Sequence, residues 1–465
     1  MQTDELYNSE FKELIKRFEN NINQNAGYFF DTEDLLDLID YYFSEDNGEM
    51  ARKALDIGLS FSPENTELKL REAQYFAGEN EIEKALDLLE KLEAIEPNNP
   101  EIFFTKGNFY SFQNKSEQAI NEYNKAMLAD DEDLEDIYMN IAFEYENLGN
   151  FDKAIEYMKK ALDIDPEHDY IPADLSLFFE WSNRTDEGID YLKHMLENDP
   201  FAKGLWLGLG MLYRSKGTFD EALNCFDYVL AIDDDDLNGW FHKATTYLFL
   251  KEYADALACY QRILDVAPDE VATLYNIAEC YERMKEHEKA QDYFRKVLKF
   301  EPDSSQATVS LAMSYFNQDN KNKAFSVLIE ALEKNPDAAE FHAALGELYC
   351  ENKDFEKGLP HVFRAVEITK DQPEFIATVC YAMIDAGLQN EALNFVESKM
   401  VKAEIYPRLI LIRGIINLKT NRKEAALNDF LVAFLIDPSN VSWFKDYHPE
   451  MLEYPEVHQI LQTLN

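Results

Sequence analysis

Between Trp206 and Phe226, in WLGLGMLYRSKGTFDEALNCF, apolar and small residues come at steps of three and four, give way to a polar stretch, and then resume. Trp206, Gly210 and Tyr213 share one face of a first helix, and Ala222 and Phe226 share one face of a second. The pattern predicts two helices joined by a turn, and it recurs at a step of 34 residues. Closing positions fall at Pro166, Pro200, Asp234, Pro268, Pro302, Pro336, Lys370, Glu404 and Pro438. Backwards, the lattice slips by one residue near Asp131 and Glu132, then reaches Pro97 and Pro63, giving twelve units. Proline suits a closing position because it tolerates the first turn of a helix but not its interior.

Two positions in each unit carry small side chains. In line with Gly210 stand Ala73, Gly107, Ala142, Ser176, Ala244, Ala278, Ala312, Gly346, Cys380 and Gly414. In line with Ala222 stand Ala51, Ala85, Ala119, Ala154, Gly188, Ala256, Ala290, Ala324, Gly358, Ala392 and Ala426. Antiparallel helix pairs nest against one another only where backbones approach, so crossing points need minimal side chains. Large rings fill the adjoining layer, at Phe76, Tyr110, Tyr145, Phe179, Tyr213, Tyr247, Tyr281, Tyr315 and Tyr349.

The spacing W-x2-L-G-x2-Y followed by A-x3-F, read on Trp206, Leu209, Gly210, Tyr213, Ala222 and Phe226, resembles the tetratricopeptide repeat. The resemblance covers about Thr32 to Pro438. It implies an all-α fold: a right-handed superhelical solenoid of about twelve stacked helix-turn-helix units in residues 32–438, with capping helices in 1–31 and 439–465.

The ends and some units depart from the pattern. Residues 4–20 read as a polar helix with Leu6, Phe11, Leu14, Ile15 and Phe18 on one side, a cover for the first unit. Unit one has Ile39 where a small residue is usual, and Asn47-Gly48 reads as its turn; in unit four Gly149 plays that part. Pro172 predicts a first helix in unit five that starts late. In units eleven and twelve Lys370 and Glu404 replace proline, Met383 and Asn417 replace tyrosine, and Lys399 takes an apolar place. Beyond Pro438, Pro449 and Pro455 cut the tail into short pieces. There Trp443, Phe444, Met451, Leu452, Ile460 and Leu461 suggest a closing helix or an apolar end that pairs two chains.

Charge narrows the choice of partner. The 44 basic and 90 acidic residues give a net −46, concentrated in residues 1–200 with 48 acids against 17 bases. Such a field repels nucleic acid and anionic lipid and draws in basic partners, besides keeping a long surface soluble. The acidic runs Asp130–Asp133 and Asp233–Asp236 lack the alternating ligands and sixth-position glycine of a calcium loop; they read as turns whose Asp caps the next helix. The five cysteines show no C-x2-C spacing and read as free thiols. With no basic start followed by an apolar run and no long apolar span, the expected location is cytoplasmic.

No catalytic constellation is visible. The stretch from Gly204 to Gly210 is glycine-rich but lies in a predicted helix without a preceding strand or a lysine, so it reads as helix packing rather than a phosphate loop. The eight histidines are scattered, and no metal or cofactor is expected. Aromatics and methionines carry the functional reading. On each first helix, the residues second, fifth, ninth, twelfth and thirteenth from its start point away from the packing stripe. In the family these positions resemble a concave, partner-binding lining, and here they supply Phe104, Phe112, Met139, Phe143, Leu177, Trp181, Leu207, Met211, Phe241, Phe249, Tyr275, Met313 and Phe316. Each either packs on the neighbouring helix or lines a groove suited to an amphipathic segment.

Two specialisations of the family fit poorly. The carboxylate-gripping lysine of the chaperone-binding type is replaced by Leu70, Phe104, Met139, Leu207, Phe241 and Tyr275, and only Asn140 and Asn276 match the asparagine ladder of the glycosyltransferase type. The expected function is a non-enzymatic scaffold that holds a peptide or helical segment of a protein partner, apolar or amphipathic with basic residues. A structural subunit that self-associates through its C-terminal helix is the alternative.

Overall fold

The computed structural model describes residues 2–24, 30–129, 134–166, 168–400, 406–437 and 440–463. Every regular element among them is a helix, and twelve helix pairs follow one another from Thr32–Ser44 with Gly48–Phe61 to Pro407–Lys419 with Lys423–Ile436. An independent mark of the repeat lies in the backbone. A residue with positive φ closes the first helix of each pair: Asp46, Asn80, Asn114, Gly149, Asn183, Gly217, Lys251, Lys285, Asp319, Lys353, Gly387 and Asn421. The left-handed residue of unit one is therefore Asp46, while Asn47 caps the second helix by accepting from the Met50 amide. The acidic run at 130–133 and Glu404 lie outside the described residues, as do the side chains of Leu6 and Trp443.

The chain forms two compact units, residues 1–242 and 243–465, divided within the helix Leu237–Leu250. In the first unit the small positions are where helices meet. Ala51, Ala85, Ala119, Ala154 and Ala222 are wholly buried, as are Ala73 and Ala142. At Gly107 an added Cβ would stand 2.4 Å from the Tyr123 ring, and at Gly210 it would stand 2.5 Å from the Phe226 ring. The glycine-rich helix Lys203–Lys216 is packing, as its sequence indicates: at Gly208 a Cβ would come 2.5 Å from the Pro172 carbonyl, and at Gly204 2.7 Å from that of His168. Two backbones touch there. Pro172 opens the 11-residue helix Ile171–Trp181, so unit five does start late.

In two successive pairs a tryptophan ties the first helix to the closing turn before it. Trp206 Nε1 donates to the Pro200 carbonyl, and Trp240 Nε1 to that of Asp234, both at 2.8 Å. Lys203 bridges the two ends of the acidic run before the helix Leu237–Leu250, its Nζ lying 2.9 Å from Asp236, 3.2 Å from Asp233 and 3.4 Å from Asp169. Asp236 also accepts from the Gly239 amide at 2.6 Å, the cap its position predicts. At the N-terminal end Phe18, on the helix Gln2–Gln24, is buried between the rings of Phe30 and Tyr42.

The second unit repeats the scheme with Ala256, Ala290, Ala324, Ala392 and Ala426 wholly buried. His342 stands where tryptophan stood and still donates, from Nε2 to the Pro336 carbonyl at 3.0 Å. The irregular units are repaired by charge. Asn417, buried where a tyrosine is usual, donates to Asp429 at 3.1 Å, and Arg413 holds the same carboxylate at 2.6 Å. Lys399 pairs with Asp371. At the end Phe444 is wholly buried against Phe430 and Phe434, with Met451 and Leu461 in the same cluster. Phe444 is therefore part of an internal cap, and its ring offers nothing to a second chain.

The tyrosine layer differs from a plain core. Most of its rings are half-buried, and lysines cover their outer faces: Lys84 over Phe76, Lys153 over Tyr145, Lys289 over Tyr281, Lys323 over Tyr315 and Lys357 over Tyr349. Each lysine immediately precedes the small residue of its second helix. The ammonium gains from the ring face while its stem shields apolar surface.

Candidate protein-docking surface

Nine of the thirteen sequence candidates lie on the first unit, and they separate by how tightly neighbouring helices approach. Leu207 and Met211 are buried and do not line a surface. The cause is local: Gly204 and Gly208 let their helix press onto the backbone of the preceding first helix, and the flanking side chains are covered. Phe104 is half-buried and leans on Tyr123, ring centroids 5.7 Å apart. Phe112, last in the helix Pro100–Phe112, is 73% exposed. Phe241 is half-buried, edge-on to His242.

Units four and five bring the others together. Met139 and Phe143, on Leu134–Asn147, are half-buried against a core that contains Leu175 and Phe178. The Phe143 ring meets Phe178 edge-on at 5.9 Å, Phe178 meets Trp181 at 6.1 Å, and Trp181 meets Phe151 at 6.3 Å. Leu177 is half-buried on the same helix, and Trp181 is 51% exposed. A run of rings thus begins in the core and ends in water. Beside it, burial pushes the Asp174 carboxyl above its ordinary range, with His168 acting in the opposite sense.

On the second unit Phe249 is 61% exposed, and Tyr275 and Met313 are half-buried. Phe316 is buried in the core cluster around Leu311 and Leu345, with Phe325 against its edge, so it too is a structural residue.

The structure adds members that the candidate set lacked. Phe151 and Phe178 complete the aromatic run, although they sit on packing positions; only their contact with Trp181 reveals them. Tyr170 and Phe201 are exposed in the turns that flank unit five, and the break in the lattice at Pro172 was their only signal. Arg71 bridges Asp40 at 2.8 Å and Glu101 at 2.6 Å, so the first three pairs carry an ion-pair ladder on their first helices. Among the described residues no three His, Cys, Asp or Glu side chains converge as metal ligands, and no helix is long and apolar enough to cross a membrane. All five cysteines are buried, and burial pushes the Cys225 thiol up to about 12.

These features define an all-helical repeat protein with exposed apolar side chains on its first helices. Models of the tetratricopeptide repeat match residues 100–133 and 135–168, 205–239, 235–300 and 309–373. The chain belongs to the tetratricopeptide repeat family, whose members generally mediate binding between proteins and are generally non-enzymatic. A comparison with curated proteins finds no match. Among solved structures, the chain is similar to a tetratricopeptide repeat protein from Parabacteroides merdae, at 17% identity over 71% of this chain and 98% of that one, TM-score 0.39. It is also similar to human IFIT1, described as a dimer with PPP-AAAA, at 16% identity over 92% and 94%, TM-score 0.40. The MamA RS-1 ArsTM double mutant matches at 17% identity over 37% of this chain and 97% of its own, TM-score 0.32.

Proposed function

We propose that this chain is a non-catalytic scaffold whose first unit holds an amphipathic, basic segment of a partner protein on the Met139, Phe143, Leu177 and Trp181 patch. The observation that carries the reading is the half-exposed Trp181 at the outer end of the ring run. Burying four such side chains contributes at most about 8 kcal/mol, and association costs at least about 4 kcal/mol. The remainder corresponds to roughly millimolar binding. Useful affinity therefore needs charge, and the excess of acids in residues 1–200 favours a basic segment. A photo-crosslinking residue placed at position 181, followed by mass spectrometry of the joined peptides, tests this. Basic amphipathic segments from one protein support it, and acidic or unrelated segments contradict it.

A second reading, self-association, has its own support in the last repeat. In the last two turns of the helix Lys423–Ile436, Leu431, Val432, Leu435 and Ile436 are exposed on one face, Leu435 by 63%. A contiguous exposed apolar patch of this kind marks an interaction surface. Light scattering of the full chain and of Leu435→Glu separates the readings: a monomer in both excludes self-association.

A further inference from the structure

On the second unit the helices Val271–Arg283 and Ser305–Asn317, with the start of His287–Phe300, surround a cavity of about 660 Å³. Its wall holds two carboxylates in opposite circumstances. Glu282 accepts from Asn317 Nδ2 at 2.8 Å and lies 3.0 Å from His287 Nδ1. Burial opposes its charge, but hydrogen bonds from Asn317, His287 and Ser314 outweigh burial and hold the carboxyl below its ordinary range. Glu279, on the preceding turn, forms no ion pair with any described residue. Its side chain has a long 3.4 Å contact from the Tyr275 hydroxyl, which also lies 2.8 Å from Ser310 Oγ. Burial pushes the Glu279 carboxyl above its ordinary range, against the pull of Arg283.

A half-buried carboxylate that makes no ion pair, and whose charge the exposed Arg283 offsets less than burial disfavours it, is stabilised by an arriving cation. Arg283 and Lys285 also border the cavity, but both are exposed, so water already solvates them and an anion would add little. Met313 supplies an apolar wall along which an alkyl stem can lie.

We propose that this cavity binds an alkylguanidinium or alkylammonium group, with its charged head on Glu279 and its stem on Met313. The docking-scaffold reading enters only in naming the bearer, an Arg or Lys side chain of a partner. The cation site itself does not depend on the first-unit patch.

The test is methyl NMR on the full chain with labelled methionine, the Met313 signal being assigned through Met313→Leu. Agmatine should move that signal saturably, glutarate should not, and Glu279→Gln should weaken agmatine about tenfold or more. Arg283→Ala should leave agmatine binding at least as tight, since the competing guanidinium is gone. No agmatine shift, a glutarate shift in its place, or equal affinity in Glu279→Gln overturns the assignment. Acetyl-Ala-Arg-Ala-amide binding as tightly as agmatine identifies a partner's side chain, and binding only by agmatine identifies a free polyamine. Failure here leaves the first-unit patch untouched, and failure of crosslinking at position 181 leaves this cavity untouched.

Discussion

Gly210→Ala adds one methyl group at a helix crossing, and its sign separates packing from propensity. An alanine Cβ at this position would lie 2.5 Å from the Phe226 ring, which is wholly buried and stacked on His242 at 5.7 Å. The ring must retreat by about 1 Å, and overpacking of this kind costs about 1–3 kcal/mol. Replacing glycine within a helix returns about 1 kcal/mol. The net expectation is a destabilisation of about 1 kcal/mol. Gly78 has nothing within 4 Å of its added Cβ, so Gly78→Ala should stabilise by about 0.5 kcal/mol. Urea unfolding of the full chain, followed by far-ultraviolet circular dichroism and tryptophan fluorescence, should move the two midpoints in opposite directions. In a Phe226→Leu background, where space is restored, Gly210→Ala should become neutral or stabilising. If Gly210→Ala stabilises the wild-type chain as much as Gly78→Ala does, close approach of backbones is not what the small residues provide.

Other perturbations address the remaining devices. Burial first, and the Arg214 guanidinium second, push the His242 imidazole from 6.5 down to about 4. The unfolded chain then binds more protons between those values, so stability present above about pH 6.5 declines as pH falls toward 4. Between pH 7 and 5 this costs about 2 kcal/mol, and the urea midpoint of His242→Gln should lack that part of the slope. Asp429→Asn leaves Arg413 and Asn417 without their buried carboxylate and should cost about 3 kcal/mol by the same assay. Lys353 adopts φ of 64° at a turn, so Lys353→Gly should stabilise by about 1 kcal/mol; a lower midpoint would show that the strain is absent.

The repeat was legible because it rests on steric rules that each unit obeys separately. Ala222 and Gly210 announce a crossing by size alone, and Pro172 announces a late helix start through its missing amide. The surface was less legible, because exposure depends on how far two helices approach. Met211 occupies the same repeat position as Phe143, and Leu207 that of Met139, but both are covered, as is Phe316. In unit six the difference lies in Gly204 and Gly208, which draw the backbones together. For Phe444 the sequence left a closing helix and a pairing surface both open, and only its burial against Phe430 and Phe434 shows that its ring closes the chain's own last repeat. Charges were hardest to place. Nothing in the spacing of Lys203 or Asn417 shows that one bridges the ends of an acidic turn and the other anchors a buried carboxylate.

The docking claim meets its most direct test in the affinity of whichever segment crosslinks at position 181, measured by fluorescence anisotropy for the wild-type chain and for Phe143→Ser with Trp181→Ser. With each ring contributing about 1–2 kcal/mol, the double variant should bind about 30-fold or more weakly while its circular dichroism stays helical. Equal affinity in the two proteins would place the partner elsewhere and contradict the account.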